Sequence, residues 1–410
     1  MKTTYQIIGI TLTVFAAITT VNAQRLPLDS VLVRVAANPS LQAYDARVSA
    51  QNAYAAGAKS LDAPKISAGQ YQTPYQLNPN TGSFMIQAEQ MFINPAKLRA
   101  KEDYMKGVSK VTAEDKNYLK NQLVAQAKQY YYERVVLEKK LALLQNTQGL
   151  LEYMLKDANI RLTYDKEKLS NIYKAKAELF ALDNTREQLN NDISQKNIML
   201  NTLMNRDKQA AFMVDTNYIL KEYETAVTDT GSLANARSDI KGISRNIELQ
   251  QLNAQMEYSK RKPDFGIETG HMFSYGGMAN QYILMASVTI PIAPWASKEY
   301  KANMKGIQYE VEELQQKKLD VINQAAGQLS GLRTDIGSKK RQLKNYRQNI
   351  IPALQNGYKT GLLAYDQNTG DLPSVLQSIK DLQAARMEYL DRLQELLILQ
   401  VAYERENESN

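Results

Sequence analysis

The 410-residue sequence has no cysteine, one histidine and one tryptophan. Beyond its N-terminal end it also has no apolar run near the roughly 20 residues that a membrane-spanning helix needs. Without cysteine there is no disulfide, no thiolate metal site and no cysteine nucleophile. The lone His271 falls in a predicted strand, no pair of carboxylates has a defined spacing, and the glycines form no phosphate loop. No catalytic constellation stands out, and the reading is of a non-enzyme without a cofactor. Fourteen methionines are scattered over helices and strands where packing accounts for them, so no metal site is read from them. An arginine-rich run with interleaved aromatics is also missing, which speaks against a nucleic-acid partner. The net charge of +7 is a small excess within many charges of both signs and identifies no partner. If such a chain enters a membrane beyond its first residues, it must do so as strands.

What is present begins with a basic Lys2, an apolar stretch from Ile7 to Val21 and a small-residue exit, Val21-Asn22-Ala23. Residues 1–23 therefore read as a secretory signal peptide cut before Gln24. Between Arg261 and Gly306 lies the most informative stretch. Phe265, Ile267, Thr269, His271 and Phe273 alternate there with Gly266, Glu268, Gly270 and Ser274. After Gly276-Gly277, Tyr282, Leu284, Ala286, Val288 and Ile290 alternate with Gln281, Ser287 and Thr289. Two period-2 segments joined by a glycine turn predict a β-hairpin with one apolar and one polar face, over about 264–275 and 281–292. A lone hairpin is marginal in water and needs further strands.

The sequence supplies them by repeating itself. An offset of 199 places Leu41 on Ile240, Pro64 on Pro263, Pro95 on Pro294 and Met105-Lys106-Gly107 on Met304-Lys305-Gly306. A constant offset marks a duplicated unit. The first copy carries its own hairpin over about 65–75 and 83–93, turned by Asn78-Pro79-Asn80-Thr81-Gly82, with Phe84, Ile86, Ala88 and Phe92 alternating with Gln87 and Glu89. Long helical sequence surrounds the strands. Leu28 to Ser60 reads helical with a break near Pro39, and Asn94-Pro95 opens a helix reaching about Lys156. That is roughly 90 Å at 1.5 Å per residue. Leu137, Leu144 and Leu151 recur at seven, which predicts coiled-coil packing against a return helix from about Lys166 to Met204. The second copy has a helix from about Ser297 to Ile351, ended or bent by Pro352, and a last helix from about Leu372 to Glu404. The domains are then a first repeat over 24–205, a connector over 206–235 with a loop at Thr228 to Ser232, a second repeat over 236–404 and a disordered tail over 405–410.

The order helix, proline, strand, turn, strand, proline and long helical hairpin, repeated once, resembles the TolC-like outer-membrane efflux protein family over essentially the whole mature chain. Local matches are Asn38-Pro39-Ser40-Leu41, Lys262-Pro263-Asp264-Phe265, Ser287-Val288-Thr289-Ile290-Pro291-Ile292 and Tyr358-Lys359-Thr360-Gly361. The lipid-bearing N-terminal cysteine of some members is absent. The resemblance implies a mostly helical fold with a membrane β-barrel part: a homotrimer whose 12-stranded barrel continues as a periplasmic α-helical barrel, with 206–235 in an equatorial belt. It implies an exit duct of a tripartite efflux system, taking drugs or metal ions from an inner-membrane pump and a periplasmic adaptor. The alternatives are the duct of a type I protein-secretion system and, in another class, a soluble periplasmic coiled-coil adaptor.

Four strands cannot close a barrel, so several chains must share one. In that setting Gln87, Glu89, Glu268, Ser287 and Thr289 are expected in the water-filled lumen, and Phe84, Phe92, Phe265, Leu284 and Val288 against outer-membrane lipid. The hairpin ends, Ile160 to Asp165 and Leu362 to Asp366, are offset by 201. By resemblance they form a periplasmic mouth that closes and meets the adaptor. Tyr164, Asp165, Gly361, Tyr365, Asp366, Gly370 and Asp371 are its candidate gate or contact residues. Drug-type relatives often place aspartates in the helix after this second turn; the comparable run here, Leu372 to Ser378, has none, and Asp366 and Asp371 are the candidate substitutes.

Overall fold

The computed structural model describes residues 24–76, 78, 80–224 and 230–408. The expected signal peptide, Pro79 of the first strand turn and residues 228 and 229 of the expected connector loop lie outside them. Each repeat opens with helix and strands. In the first, α1 (Leu28–Val35) and α2 (Pro39–Gly57) precede β2 (Lys65–Tyr71) and β3 (Ser83–Phe92); in the second, α5 (Thr230–Ala236) and α6 (Ser238–Ser259) precede β5 (Asp264–Ser274) and β6 (Gln281–Thr289). Asparagine followed by proline starts two helices in the first repeat. Asn38 accepts from the Ser40 amide at 2.9 Å before Pro39, and Asn94 from the Ala96 amide at 3.1 Å before Pro95. Side-chain caps satisfy amides that the helix cannot, and proline at the first position loses nothing because its missing N–H had no partner.

From Pro95 a single helix, α3, runs 68 residues to Leu162 and returns as α4 (Leu169–Leu203). Leu137, Leu144 and Leu151 are buried as one stripe against Ile172, Ala175, Leu182 and Leu189. The second repeat makes the same excursion with α7 (Lys298–Asn345), α8 (Ile351–Asp366) and α9 (Leu372–Asn407), burying Leu329, Ile336 and Leu343 at the same seven-residue step. Pro352 does not end the helix. A π-turn over Tyr346–Ile350 carries it through, with the Ile351 amide donating to the Tyr346 carbonyl. The wider turn shifts the hydrogen-bond register just before a residue that has no donor to offer.

Strands β2, β3, β5 and β6 form one antiparallel sheet in the order β2-β3-β5-β6, so β3 and β5 join the two repeats. All four connections to helices leave from the same end of the sheet. The staple there is Asp264, which accepts from the Asn94 amide at 2.9 Å and pairs with Lys97 at 2.5 Å. The outer strands β2 and β6 each have one edge without a partner among the described residues.

Two features differ from the sequence reading. The connector holds β4 (Phe212–Val214), which pairs in parallel with β1 (Gln24–Leu26), and its expected loop at Gly231 and Ser232 is the short helix α5. The tail expected from 405 is helical to Asn407, because it serves α6. Glu406 accepts from Arg237 at 2.7 Å, and Glu408 from the Ser238 amide at 2.9 Å, in place of the asparagine cap of the first repeat.

Beside this tail, Glu404 is buried and accepts from Lys128, Lys221 and the Tyr223 hydroxyl, each at 2.7 Å. Burial pushes its carboxyl up, but the bonds from Lys128, Lys221 and Tyr223 outweigh it and leave the group below the usual glutamate range. A depressed carboxyl stabilises the fold above its unfolded pKa, and that contribution disappears as pH falls through the folded value. Glu404→Gln leaves Lys128 buried without a counter-charge and is expected to cost about 3 to 5 kcal/mol at neutral pH. Denaturant unfolding, followed by circular dichroism across pH, checks both parts. The variant should lose the acid-side fall in stability that Glu404 contributes to the parent.

Candidate functional site

Two places in the fold gather the expected site residues, and they lie at its opposite ends. The first is the sheet. In register, Phe84 faces Phe273, Ile86 His271, Ala88 Thr269 and Phe92 Phe265, while Phe265 faces Val288 and Thr269 Leu284. Phe84, Phe92, Phe265, Leu284 and Val288 therefore share one face, with Ile66, Ile267 and Tyr282 beside them. Most of its large side chains are exposed, Leu284 at 69%. Gln87, Glu89, Glu268, Ser287 and Thr289 share the other face. Glu89 and Glu268 stand directly opposite each other, a like-charge pairing that normally destabilises a sheet. Lys65 flanks Glu89 across the β2–β3 pair, and Gln87 donates to Glu268, which eases the repulsion. Met85, Met91, Met272 and Met285 also lie on this face, a placement that alternation of polar and apolar residues does not single out.

The second place is the pair of hairpin ends, and its organising residue is Arg161, which sequence reading left out. Helix α3 delivers Arg161 in its last turn, one turn beyond Asp157, whose carboxylate takes its Nε at 2.7 Å. The guanidinium crosses to the second hairpin. Nη1 donates to the Tyr365 carbonyl at 3.1 Å and to the Asn368 side chain at 3.0 Å, and Nη2 lies 3.6 Å from Asp366. Its plane sits 4.2 Å from the centre of the Tyr365 ring. The Tyr365 hydroxyl returns the connection by donating to Glu167 at 3.3 Å. Glu167 is itself held, since its other oxygen accepts from the Lys168 amide and Asn171 at 2.8 Å each. Burial first, and the Glu167 carboxylate second, push the Tyr365 phenol up, so it stays protonated and able to donate. Arg161 and Glu167 are polar residues in helical surroundings, and only the packing of two hairpins 200 residues apart reveals them.

Of the expected gate residues, Tyr365 is the buried anchor, packed with Leu372 and Val375 in the core of the hairpins. Asp366 pairs with Arg161, and Asp371 caps α9 by accepting from the Ser374 amide at 3.1 Å. That bond and the Ser374 hydroxyl hold the Asp371 carboxyl below the usual range. Gly370 fits closely, because a Cβ would lie 3.1 Å from the Tyr365 amide nitrogen. Gly361 is inside α8, two turns from the bend, with a Ser378 oxygen 3.8 Å from where a Cβ would stand. Tyr164 is exposed on the first turn, and Asp165, in the left-handed region at φ 58°, borders the cleft between the hairpins. Neither makes a hydrogen bond to the second hairpin among the described residues.

No helix among the described residues is long and apolar enough to cross a membrane, and no group of three or more His, Cys, Asp or Glu side chains is placed to hold a metal ion. No protein-family model matches the chain, and no curated protein matches it by sequence. Solved structures do. The outer-membrane channel OprN is 15% identical, with a TM-score of 0.74 over 93% of this chain and 90% of that one. The outer membrane protein VceC of Vibrio cholerae is 13% identical, with a TM-score of 0.72 over 93% of this chain and 95% of that one. The open state of the Neisseria gonorrhoeae MtrE outer-membrane channel is 13% identical, with a TM-score of 0.73 over 93% and 88%. At these identities the likeness is one of fold: the chain is built as the TolC-like outer-membrane channels are.

Proposed function

We propose that the chain is a TolC-like outer-membrane exit duct. The observation that carries this reading is a sheet that gathers its phenylalanines on one face and its charged side chains on the other, while both of its outer edges lack partners among the described residues. Open edges in lipid leave backbone groups unsatisfied, so the edge of β6 in one chain pairs with that of β2 in the next. Three chains close twelve strands, with Gln87, Glu89, Glu268, Ser287 and Thr289 toward the lumen and Phe84, Phe92, Phe265, Leu284 and Val288 toward outer-membrane lipid. The helical hairpins continue the barrel into the periplasm as a tube. Small solutes such as drugs or metal ions reach it from an inner-membrane pump through a periplasmic adaptor, and no bond is made or broken on the way. Their ends form the mouth, held shut when Arg161 of the first hairpin clasps Tyr365, Asp366 and Asn368 of the second.

Three outcomes test this. A detergent-corrected mass of three chains is expected, and a mass of one chain contradicts barrel closure. Leu284→Arg or Val288→Arg is expected to cost about 2 to 4 kcal/mol near the bilayer midplane, measured as loss of assembled protein, whereas Ser287→Arg changes conductance and leaves assembly intact. Equal tolerance on both faces contradicts the assignment. The parent should conduct little in planar bilayers, and the Arg161→Ala/Tyr365→Phe variant, still trimeric, should conduct more. Each lost bond is worth about 0.5 to 1.5 kcal/mol, and up to about 3 where charged, so the double change removes most of the clasp. Unchanged conductance would make these residues caps and not latches.

A further inference from the structure

The two ends of the sheet differ in charge. The loops at the far end, residues 72–82 and 275–280, carry no charged residue at all. At the helical end the chain is crowded with lysine and arginine. Lys298, Lys301 and Lys305 are exposed on α7 and, at a spacing of three and four, form one stripe of that helix. Arg261 and Lys262 precede β5, Lys65 opens β2, and Arg99 and Lys101 lie in the first two turns of α3; all five are exposed. Other charges nearby neutralise one another: Lys97 with Asp264, Lys59 and Lys106 with Glu102, Lys260 with Glu257. Lys65 faces Glu89 across the β2–β3 pair; the other seven exposed cations have no ion pair among the described residues, and the exposed carboxylates Asp62, Asp103 and Glu299 answer only three of them.

Between the apolar sheet face and the α7 stripe lie Ile290, Ile292 and Trp295, all exposed, with Trp295 at 82%. Tryptophan, with an apolar ring and one polar edge, favours the boundary between hydrocarbon and headgroups. Lys301 and Lys305 follow Lys298 by about 4.5 and 10 Å along the helix, leading away from that boundary. The order apolar face, tryptophan, then lysines descending from it matches the layers of a bilayer leaflet: acyl chains, interface, phosphate.

We propose that this junction is a lipid-docking collar that gathers anionic phospholipids of the leaflet next to the helical tube, with Trp295 at the interface and Lys298, Lys301 and Lys305 on the headgroup phosphates. The proposal rests on the membrane reading above and adds a lipid class to it. Because Trp295 is the chain's single tryptophan, its emission reports on this site alone. The assembled protein is reconstituted into mixed vesicles of phosphatidylcholine and phosphatidylglycerol, with bromine on the chains of one lipid or the other. Brominated phosphatidylglycerol is expected to quench Trp295 about two- to fivefold more than brominated phosphatidylcholine at equal mole fraction. The preference should fall as salt is raised and vanish in Lys298→Gln/Lys301→Gln/Lys305→Gln. Should that variant fail to assemble, the salt titration of the parent decides by itself. Equal quenching by both lipids overturns the collar while leaving the membrane reading standing. No quenching by either, with protein that does not float with the vesicles, overturns the membrane reading and the collar with it.

Discussion

The open edges of the four-stranded sheet are the constraint on which the rest of the structure depends. Along the outer edges of β2 and β6 the backbone N–H and C=O groups have no partner among the described residues, and the apolar face between them is bare, with Ile66, Leu284 and Tyr282 among its most exposed side chains. In water such a sheet is an aggregation template; in lipid it is unsatisfied. Neither problem has a solution within one chain, because helices α3 and α7 leave from the same end of the sheet and lead away from it. In the proposed duct, a closed multi-chain barrel removes both problems at once.

Duplication supplies the geometry and then departs from symmetry where function differs. Both repeats use proline at the strand-to-helix junction, and both bury a leucine-rich seven-residue stripe. The first outgoing helix is unbroken over 68 residues, whereas the second passes through the π-turn at Tyr346–Ile350 before Pro352. A π-turn inside a long helix changes the hydrogen-bond register at one point and leaves the parts on either side regular. Its place in the second repeat, on the helix that carries Tyr365, sets the two hairpins apart in mechanical character.

The sequence was most legible where one period governs many residues. Strand faces follow from the alternation between Phe265 and Phe273 and, less cleanly, from that between Gln281 and Thr289, and the helices follow from leucines at seven. It was least legible where a partner comes from far along the chain. Arg161 is four residues after Asp157, so by spacing it reads as an ordinary surface ion pair, yet most of its bonds go to residues 204 to 207 positions away. The parallel pairing of β1 with β4 involves three residues on each side, too few to carry a period. The ordered end of α9 was hidden for a third reason. A short, charged terminal run normally lacks the apolar burial to fold, and here it is fixed by Arg237 and the Ser238 amide, which belong to a different helix.

In the proposed duct, closure of the mouth and stability of the fold draw on forces of different size, which lets one change without the other. The coil core holds Leu137, Leu144, Leu151 and Leu182, where truncating a buried leucine costs about 2 to 5 kcal/mol. The clasp at the ends is a handful of partly exposed hydrogen bonds around Arg161, each worth about 0.5 to 1.5 kcal/mol, somewhat more where charged. Helix α8, which carries the far side of the clasp, buries only Tyr365 fully and begins at the π-turn. A partner that offers Arg161 and Tyr365 alternative contacts therefore needs to supply only a few kcal/mol to release α8, far less than unfolding any part of the coil would take. The apolar stripes set where the hairpins lie, and under the proposed gating the polar clasp sets whether their ends meet.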